Sequence, residues 1–553
     1  MITIKVNDST MKINEGTKVI DLLKEEDKKK YLLCKINGQV KELNYRLQER
    51  NDNATISFHG LETIEGGKIY ETTIRYIIAM AFHNLYPTIK IRFSYYVSRS
   101  VFCEVLTPNV SLSKLYKNIE NEIKRIIAND MPIERIVVTN EEAKKIYVRE
   151  NLSDKLDILE YRPEKDVHLY KCSDYYNYLH NYMAPSTGYV SNFIMRPYSP
   201  GIIIQYPRYE LDARIPYFDE ESTYGRTLRK AYNWAKKVNC QTIYAINKRI
   251  ENENITDFIN ICETKHTNML AELGQKICDD IENVRLIAIA GPSSSGKTTF
   301  SNRLRIELMS HGINPVTISM DDYYFTREEI AKIQGVPADQ VDLEHINTLD
   351  TELFNQHLFD LINGDEIHLP KFDFTTGKRV EGKSLKVDQH SPIIIEGIHA
   401  LNEKLTSSIP KYQKFKIFIS PQAQINIDNH TPMSTTDLRL IRRIVRDKQF
   451  RNCPAAETIA MWDSVRSGEF KWIYPFQEGA DFVYNSELTY ELCVLKKYAL
   501  PALREIPISS PEYLTANRLI KYLKYYKTID DESAIPCNSL IREFIGGSCF
   551  NVQ

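Results

Sequence analysis

A glycine-rich stretch a little past the middle of the chain, GPSSSGKTTF (291–300), is the first sign of chemistry. Gly291, Gly296, Lys297 and Thr298 fit the spacing G-x-x-x-x-G-K-[ST]. Glycines let consecutive backbone N–H groups turn inward around phosphate oxygens, the lysine reaches the β- and γ-phosphates, and the next hydroxyl ligates Mg²⁺. The stretch therefore predicts a nucleotide phosphate site. Its other polar members are expected to complete the cradle: Ser293, Ser294, Ser295 and Thr299.

The residues on either side predict the strand and the helix that position this loop. The run VRLIAIA (284–290) is short, apolar and rich in β-formers, and it ends where the loop begins. Beyond the loop, Phe300, Leu304 and Leu308 recur every four residues until Gly312. This order of strand, loop and helix points the positive end of a helix dipole at the phosphates.

Carboxylates follow two further predicted strands. The run PVTISM (315–320) precedes Asp321 and Asp322, and the run PIIIEG (392–397) contains Glu396. Ligands of open α/β sheets bind beyond the carboxyl ends of the strands, so these acids are expected beside the phosphate loop.

An arginine-rich segment (437–451) follows a fourth predicted strand, FKIFIS (415–420). Its arginines are Arg439, Arg442, Arg443, Arg446 and Arg451. Phosphoryl transfer needs a phosphate cradle, a metal, a carboxylate that takes the acceptor's proton, and cations that close over the moving group. The chain supplies a candidate for each in a compatible order. A solvated helix face is the alternative interpretation of the arginines.

Residues 284–505 resemble the uridine kinase family, a branch of the P-loop kinases that includes phosphoribulokinase. The resemblance rests on six motifs in the family's order: GPSSSGKTT, SMDDYY, LEHINTLD, LPKFDFTTGKR, IIIEGIHALN and the arginine-rich segment. It implies an α/β fold, namely a P-loop kinase core with a parallel sheet. It also implies Mg²⁺, ATP as the co-substrate, and transfer of the γ-phosphate to the 5′-hydroxyl of a nucleoside.

The resemblance implies a role for each matching residue. Asp321 matches the general base that orients and deprotonates the acceptor hydroxyl, and Lys297 contacts the β- and γ-phosphates. Arg446 completes the catalytic set, while Arg443 and Arg451 match arginines that clamp the phosphates of ATP. Asp322, in the place of a small residue, is expected to act only as a support.

The same resemblance implies a metal site and an acceptor pocket. Thr298, Asp321 and Glu396 match the residues around Mg²⁺. Tyr324 matches an aromatic residue of the nucleoside pocket, and Glu344 stands where the family has an aspartate that binds the ribose hydroxyls.

Base recognition departs from the family pattern. Phe372 replaces a base-reading tyrosine of the acceptor pocket, Gly377 replaces a base-reading histidine, and Cys453 replaces a later arginine. Sites discriminate strongly when a wrong ligand leaves a buried polar group unpaired, so losing these groups should loosen or redirect the choice of base.

The remainder of the chain divides into four predicted parts. Residues 1–60 show a strand-strand-helix-strand-strand pattern typical of a β-grasp unit, and INEGTKVIDLL and CKINGQVKELNYRL resemble the TGS domain. Residues 61–210 have an α+β pattern and resemble the second domain of threonyl-tRNA synthetase in TTIRYIIAMAFHNLYP and LYKCSDYYNYLHNYMAPSTGYVSNF. Residues 211–283 predict a helical connector, and residues 506–553 predict a helical tail that could close over the kinase core or pack on the front domains.

The synthetase domain ligates a metal, but this chain has lost the ligands. The four matching positions hold Thr72, Tyr76, Leu179 and Met183. This set cannot build a tetrahedral zinc site, so no editing chemistry is expected. The nearby substitutes are His83, Cys172 and His180, which we interpret as unpaired residues of a folded domain.

The composition indicates the number of domains and the cellular setting. The chain has 553 residues, a net charge of −2 and ten cysteines without paired spacing, so we expect several domains and a reduced, cytoplasmic setting. Neither a secretory signal nor a membrane-spanning run is apparent.

Three functions remain open at this stage: a nucleoside kinase, a kinase of another ribosyl or sugar-phosphate substrate, and a nucleotide-switched regulator that binds RNA through its front domains. The retained acceptor residues disfavour a pure switch. The sequence leaves open the acceptor, the choice of ATP or GTP, contact with RNA, and assembly into a homo-oligomer.

Overall fold

The computed structural model describes residues 1–6, 9–219, 222–338, 340–373, 376–388 and 391–551. Phe374 and Thr375 of the motif LPKFDFTTGKR lie outside these ranges.

The first sixty residues form a five-stranded mixed sheet. Its elements are β1 (Ile2–Val6), β2 (Ser9–Ile13), the one-turn helix α1 (Glu25–Lys28), β3 (Leu33–Ile36), β4 (Gln39–Glu42) and β5 (Ala54–His59). The order is β2-β1-β5-β3-β4; β1 and β5 run parallel and the other pairs antiparallel. The helical part of the predicted strand-strand-helix-strand-strand pattern is divided, since a 3-10 turn at Val19–Leu22 precedes α1. So short a segment gains too few hydrogen bonds to offset helix nucleation.

Residues 61–210 add helices and two antiparallel sheets. The helices are α2 (Ile64–Leu85), α3 (Leu112–Ala128), α4 (Asn140–Arg149) and α5 (Ser153–Leu159). The strands are β6 (Ile91–Val97), β7 (Ser100–Val105), β8 (Glu134–Thr139), β9 (Asp166–Cys172), β10 (Tyr175–Asn177), β11 (Ile194–Tyr198) and β12 (Gly201–Gln205). They form sheets of order β11-β12-β7-β6 and β10-β9-β8. One apolar core runs from Ile2 to Tyr206, so these residues pack together with the first sheet.

The four synthetase-like positions belong to this core. Thr72 donates to a main-chain carbonyl one turn earlier, and the Tyr76 hydroxyl donates to the carbonyl of Tyr175 at 3.1 Å. Leu179 and Met183 are buried. Within the described ranges, no group of three His, Cys, Asp or Glu side chains that could hold a metal is found.

Three helices connect this region to the second half: α6 (Ser222–Lys237), α7 (Ile243–Asn252) and α8 (Ile255–Cys278). Apolar residues of α7 and α8 are buried in the core of the second half. Leu228 and Tyr232 of α6 instead pack on Tyr95 and Phe102 of the front region.

The second half is built on a five-stranded sheet in which every pairing is parallel. Its elements are β13 (Leu286–Ala290), α9 (Lys297–Ser310), β14 (Val316–Ser319), α10 (Arg327–Gln334), α11 (Thr351–Asn363), β15 (Ile367–Asp373), β16 (Lys378–Leu385), β17 (Ile393–Glu396), β18 (Lys414–Ser420), β19 (Asn426–Asp428), β20 (Thr431–Pro432), α12 (Thr435–Phe450), α13 (Ala455–Ala460), α14 (Trp462–Trp472), β21 (Phe482–Asn485) and α15 (Glu491–Arg504). The order is β14-β17-β13-β18-β21, which puts the strand before the glycine-rich loop at the centre.

The β19–β20 hairpin joins the two halves. The backbone N–H of Phe93 donates to the carbonyl of Asn429 at 2.8 Å. Lys155 Nζ lies 2.9 Å from Asp428 Oδ1, and both side chains are almost fully buried. The front region is therefore docked on the second half through a buried ion pair.

The C-terminal residues contact both halves, which answers a question that the sequence left open. They contain α16 (Tyr513–Leu523) and the short helix α17 (Arg542–Ile545). Tyr522 stacks on His180 of the front region with ring centres 4.2 Å apart, whereas Phe544 is buried in the core of the second half. In the part of the chain that is described, no helix is both long and apolar enough to cross a membrane.

Candidate active site

The glycine-rich loop adopts the geometry of a phosphate cradle. Gly296 has φ of +88°, a left-handed conformation that glycine adopts without the steric penalty of other residues, and α9 begins directly after it. Lys297 Nζ donates to the carbonyls of Gly291 at 3.0 Å and Pro292 at 3.3 Å, so the lysine lies along the loop. The first N–H groups of a helix have no partner within the helix and favour anions.

Three hydroxyls inside the cradle have no hydrogen-bond partner among the described residues. They belong to Ser294, Ser295 and Thr299, all of which are buried. Buried polar atoms are nearly always paired, so these three hydroxyls distinguish the loop from ordinary packed structure.

The residues predicted around the metal meet at the carboxyl ends of neighbouring strands. Ser319 pairs with Glu396 across β14 and β17, and Asp321 follows two residues later. Thr298 Oγ1 lies 3.4 Å from Glu396 Oε1. Burial and the nearby Asp321 carboxylate raise the pKa of Glu396 to about 7. One hydroxyl and two carboxylates that repel each other fit Mg²⁺, which takes oxygen ligands and usually shares them with substrate phosphates.

The predicted acceptor residues lie near enough to Tyr324 to interact electrostatically with its hydroxyl. Burial raises the pKa of Tyr324, and three carboxylates raise it further. They are Asp321, Glu344 and Glu396. The structure thus brings the predicted base, ribose ligand and metal ligand together beside the loop.

The side chain of Glu344 is buried next to both acidic and basic groups. Burial and then the carboxylate of Glu469 raise its pKa to about 7, whereas Arg443 and Lys297 act in the opposite direction. Gly468 of α14 packs directly against it, since a Cβ at that position would lie 2.3 Å from Glu344 Cβ.

The β15–β16 hairpin packs beside Tyr324 and Asp322. Phe372 meets the Tyr324 ring edge to face at 5.9 Å, and its backbone N–H donates to Asp322 Oδ1 at 3.2 Å. Asp322 is therefore attached to the hairpin that carries Phe372, and its supporting role stays a prediction. Gly377 has φ of +66° in the turn, a conformation that a histidine would adopt only with strain.

Two arginines of α12 are structural. Arg439 forms a salt bridge with Glu469, and Arg442 is fully buried against Glu491 at 2.7 Å. Both also donate to loop carbonyls, Arg439 to Ser293 at 3.2 Å and Arg442 to Ser294 at 3.3 Å. The interpretation of a solvated helix face is wrong for these two, because they fasten the helix to the loop.

The other three arginines converge on one carboxylate. Asp447 lies 3.3 Å from Arg443, 2.7 Å from Arg446 and 3.6 Å from Arg451. Arg443 also donates to the Ser293 hydroxyl at 3.0 Å. Asp447 thus gathers three cations next to the phosphate cradle.

Sequence reasoning did not name the acidic partners of these arginines. Asp447 follows Arg443 by four residues, the spacing of helical ion pairs, so a signal existed. Glu469 and Glu491 belong to other helices and left no local signal.

The fold and site define a class. A parallel sheet carries a glycine-rich phosphate loop after its central strand. Carboxylates lie at the ends of the neighbouring strands, and an arginine-rich helix lies beside them. These features define the fold of a P-loop kinase. Residues 286–491 match the Phosphoribulokinase / Uridine kinase family, and through this region the chain belongs to that family.

Similar proteins match a little more than a third of this chain. A uridine kinase of Ureaplasma parvum is 30% identical over 197 residues, which are 35% of this chain and 85% of that protein. A uridine kinase of Staphylococcus haemolyticus is 27% identical over 202 residues, which are 36% of this chain and 87% of that protein. The solved structure of a possible uridine kinase from Bacillus stearothermophilus is 17% identical, covers 40% of this chain and 98% of its own, and has a TM-score of 0.27.

Proposed function

We propose that the protein is an ATP-dependent nucleoside kinase that transfers the γ-phosphate to the 5′-hydroxyl of a nucleoside. The observation that carries this proposal is the set of carboxylates at the strand ends beside the phosphate loop, where Glu396 lies 3.4 Å from Thr298 and Asp321 follows the neighbouring strand. A protein that used nucleotide only as a switch would need no acceptor residues there. This argument disfavours the nucleotide-switched RNA-binding regulator.

In this proposal, Asp321 accepts the proton of the acceptor hydroxyl. Burial raises its pKa, which strengthens the carboxylate as a proton acceptor, and Lys297 opposes that shift. Glu344 binds the ribose hydroxyls and Tyr324 lines the pocket. Positioning and charge stabilisation supply most of the catalysis in phosphoryl transfer.

The donor side is assigned to the loop and the arginines. The backbone of 291–299 and Lys297 bind the phosphates of ATP, and Arg443, Arg446 and Arg451 neutralise charge on the transferred group. Thr298, Asp321 and Glu396 would hold Mg²⁺, which when bound neutralises the donor phosphates.

A kinase of another ribosyl or sugar-phosphate substrate is the second candidate. Phe372 and Gly377 supply no side-chain hydrogen bond to a base, and the turn at Gly377 favours glycine for its backbone conformation. This absence of base-reading side chains at the two positions favours an acceptor that is recognised through its ribosyl or sugar-phosphate part.

For the front region, we propose a TGS-like β-grasp unit followed by a synthetase-like α+β unit that serves as a docking platform for the kinase half. The order of the first sheet, with its central parallel pair, and the buried contact between Lys155 and Asp428 support this proposal.

The test is ADP release from Mg-ATP, and separately GDP release from Mg-GTP, over nucleosides, other ribosides and ribulose 5-phosphate. We expect turnover with at least one nucleoside, and none when Lys297 is replaced by alanine. Lys332→Ala, on the exposed face of α10, is the matched control. Turnover with sugar phosphates alone would favour the second candidate, and full activity of Lys297→Ala would remove the kinase assignment.

A further inference from the structure

A second charged cavity lies between the front region and the C-terminal helix, apart from the kinase site. It has a volume of about 120 Å³ and is lined by residues of α2, β8, β9 and α16. Six cations line it: Lys68, Arg135, Arg162, Arg518, Lys521 and Lys524. Glu65 is the only carboxylate among the lining residues.

Neighbouring carboxylates neutralise only some of these cations. Arg135 lies 3.6 Å from Glu42, Lys524 lies 2.7 Å from Glu164, Arg162 lies 3.8 Å from Glu164, and Arg518 lies 2.9 Å from Asp437. Within the described ranges, Lys68 and Lys521 form no salt bridge. The cavity therefore keeps an excess of positive charge in a partly buried place.

The surroundings disfavour the charged lysines. Burial and then Arg135, Lys524 and Arg162 lower the pKa of Lys521 to about 8, and only Glu164 opposes them. Burial and Arg518 lower the pKa of Lys68 to about 8, opposed by Asp437, Glu65 and Glu71. A cluster of cations that lowers the stability of the fold in this way often binds a ligand of opposite charge.

We propose that this cavity binds a phosphate-type oxyanion, either free phosphate or the phosphate group of a small metabolite. One water needs about 10–15 Å³, so the cavity accommodates a group of several heavy atoms. Arginine forks and lysine ammonium groups form the strongest hydrogen bonds to such oxyanions.

A ligand in this cavity would contact residues of both the front region and the C-terminal segment. Arg135 and Arg162 belong to the front region, whereas Lys521 lies in the C-terminal helix α16 and Lys524 directly follows it. Arg518 lines the cavity and pairs with Asp437 in the first turn of the arginine-rich helix α12. A bound anion would therefore join the front region to the helix that adjoins the phosphate cradle.

The first experiment is calorimetric titration of the full chain with inorganic phosphate, with Mg-ADP saturating the phosphate loop. We expect one phosphate per chain, and Lys521→Ala should weaken its binding about tenfold or more. Lys527→Ala is the matched control, because Lys527 follows the same helix but pairs with Glu251 at 2.7 Å and does not line the cavity. Equal loss in both variants, or no binding to the ADP-saturated protein, would overturn the proposal.

A stability measurement separates a ligand site from a structural cluster. In phosphate-free buffer, Lys521→Ala should raise the melting temperature, because it removes an unpaired cation from among other cations. Phosphate should raise the melting temperature of the wild type but not of the variant. A variant that melts lower than the wild type and responds equally to phosphate would show a purely structural lysine.

Two further titrations identify the source of the phosphate group. A Lys521-dependent preference for ribose 5-phosphate over inorganic phosphate would indicate a metabolite, and equal affinities would indicate free phosphate. If a single-stranded RNA oligonucleotide binds in a Lys521-dependent manner while neither small anion does, the surface recognises RNA and the proposal is wrong.

Discussion

The side-chain carboxylate of Glu543 accepts a hydrogen bond from the backbone N–H of Thr299 at 3.0 Å. Thr299 is the third residue of α9, whose first N–H groups form the phosphate cradle. Leu540 also approaches the loop, since a Cβ on Gly296 would lie 2.8 Å from its Cδ2. The C-terminal segment thus covers one edge of the cradle and occupies a donor that a nucleotide phosphate would use.

Glu543→Gln should therefore lower the KM for the donor nucleotide. The substitution removes a negative charge from the phosphate end of α9, and a neutral amide holds the N–H less tightly. We expect a decrease of roughly three- to tenfold, corresponding to about 1 kcal/mol, measured by initial rates at varied Mg-ATP. Glu505→Gln is the control, because Glu505 pairs with Lys448 on the surface. An increase in KM would mean that Glu543 supports the nucleotide-binding conformation.

The sequence predicted the phosphate loop, but it did not predict that the C-terminal segment packs over it. The reason is physical. Gly291 to Thr298 are contiguous, so their spacing reports the local backbone geometry. Glu543 reaches Thr299 across 244 positions, and no periodicity or motif encodes a contact at that separation. The amphipathic pattern showed that the C-terminal helix would be buried, but not against which surface.

Asp321→Asn should lower kcat about 10²–10⁴-fold, the usual contribution of a positioned general base. The amide keeps the size of the side chain but cannot accept the acceptor's proton, so the KM for ATP should change less. Asp322→Asn is the matched control, because its side-chain oxygen can still accept from the N–H of Phe372. If steady-state kinetics show Asp322→Asn to be the more damaging, the two roles are reversed.

Arg446→Lys should lower kcat about tenfold or more, although the charge is kept. Nε and Nη2 of Arg446 both donate to Asp447 Oδ1, at 2.9 and 2.7 Å, and a lysine cannot reproduce this planar pair. Single-turnover measurements would separate this effect from product release. Arg504→Lys, at the exposed end of α15, is the control. Unchanged kinetics would mean that Arg446 only pairs with Asp447 and plays no part in phosphoryl transfer.

Stability should fall as pH rises from about 4.5 to about 7, in part because of Glu344. Burial and Glu469 raise its pKa from 4.5 to about 7, so in this window the folded protein keeps a proton that the unfolded chain has lost. In this window the unfolded state binds fewer protons than the folded state, so raising the pH favours unfolding. Glu344→Gln should flatten this part of a pH series of denaturant unfolding, whereas Glu352→Gln, exposed on α11, should not. An unchanged slope in Glu344→Gln would contradict the shift.

The sequence located the acceptor residues individually, and the fold explains why their environments were not predictable. Asp321 and Glu396 stand at strand ends, so the parallel sheet alone brings them together. The charge on Glu344 depends on Glu469, which lies on a helix more than a hundred residues later. Likewise, the arginine spacing indicated a cationic helix, but only packing shows that Arg442 is buried against Glu491 and that Arg443 faces the loop.

Lys155→Met should destabilise the protein by about 3–5 kcal/mol, because it leaves Asp428 buried and unpaired at the joint between the two halves. The exposed fractions of the two side chains are 1% and 0%, and Asp428 also accepts from the N–H of His430 at 2.8 Å. Denaturant unfolding of the full chain measures the loss, and Lys155→Met combined with Asp428→Asn should recover part of it, since the uncompensated charge is gone. Lys144→Met is the control: it breaks an exposed pair with Glu141, whose contribution should lie between about 0 and 1 kcal/mol. Equal losses from Lys155→Met and Lys144→Met would show that the buried pair does not hold the front region to the catalytic half.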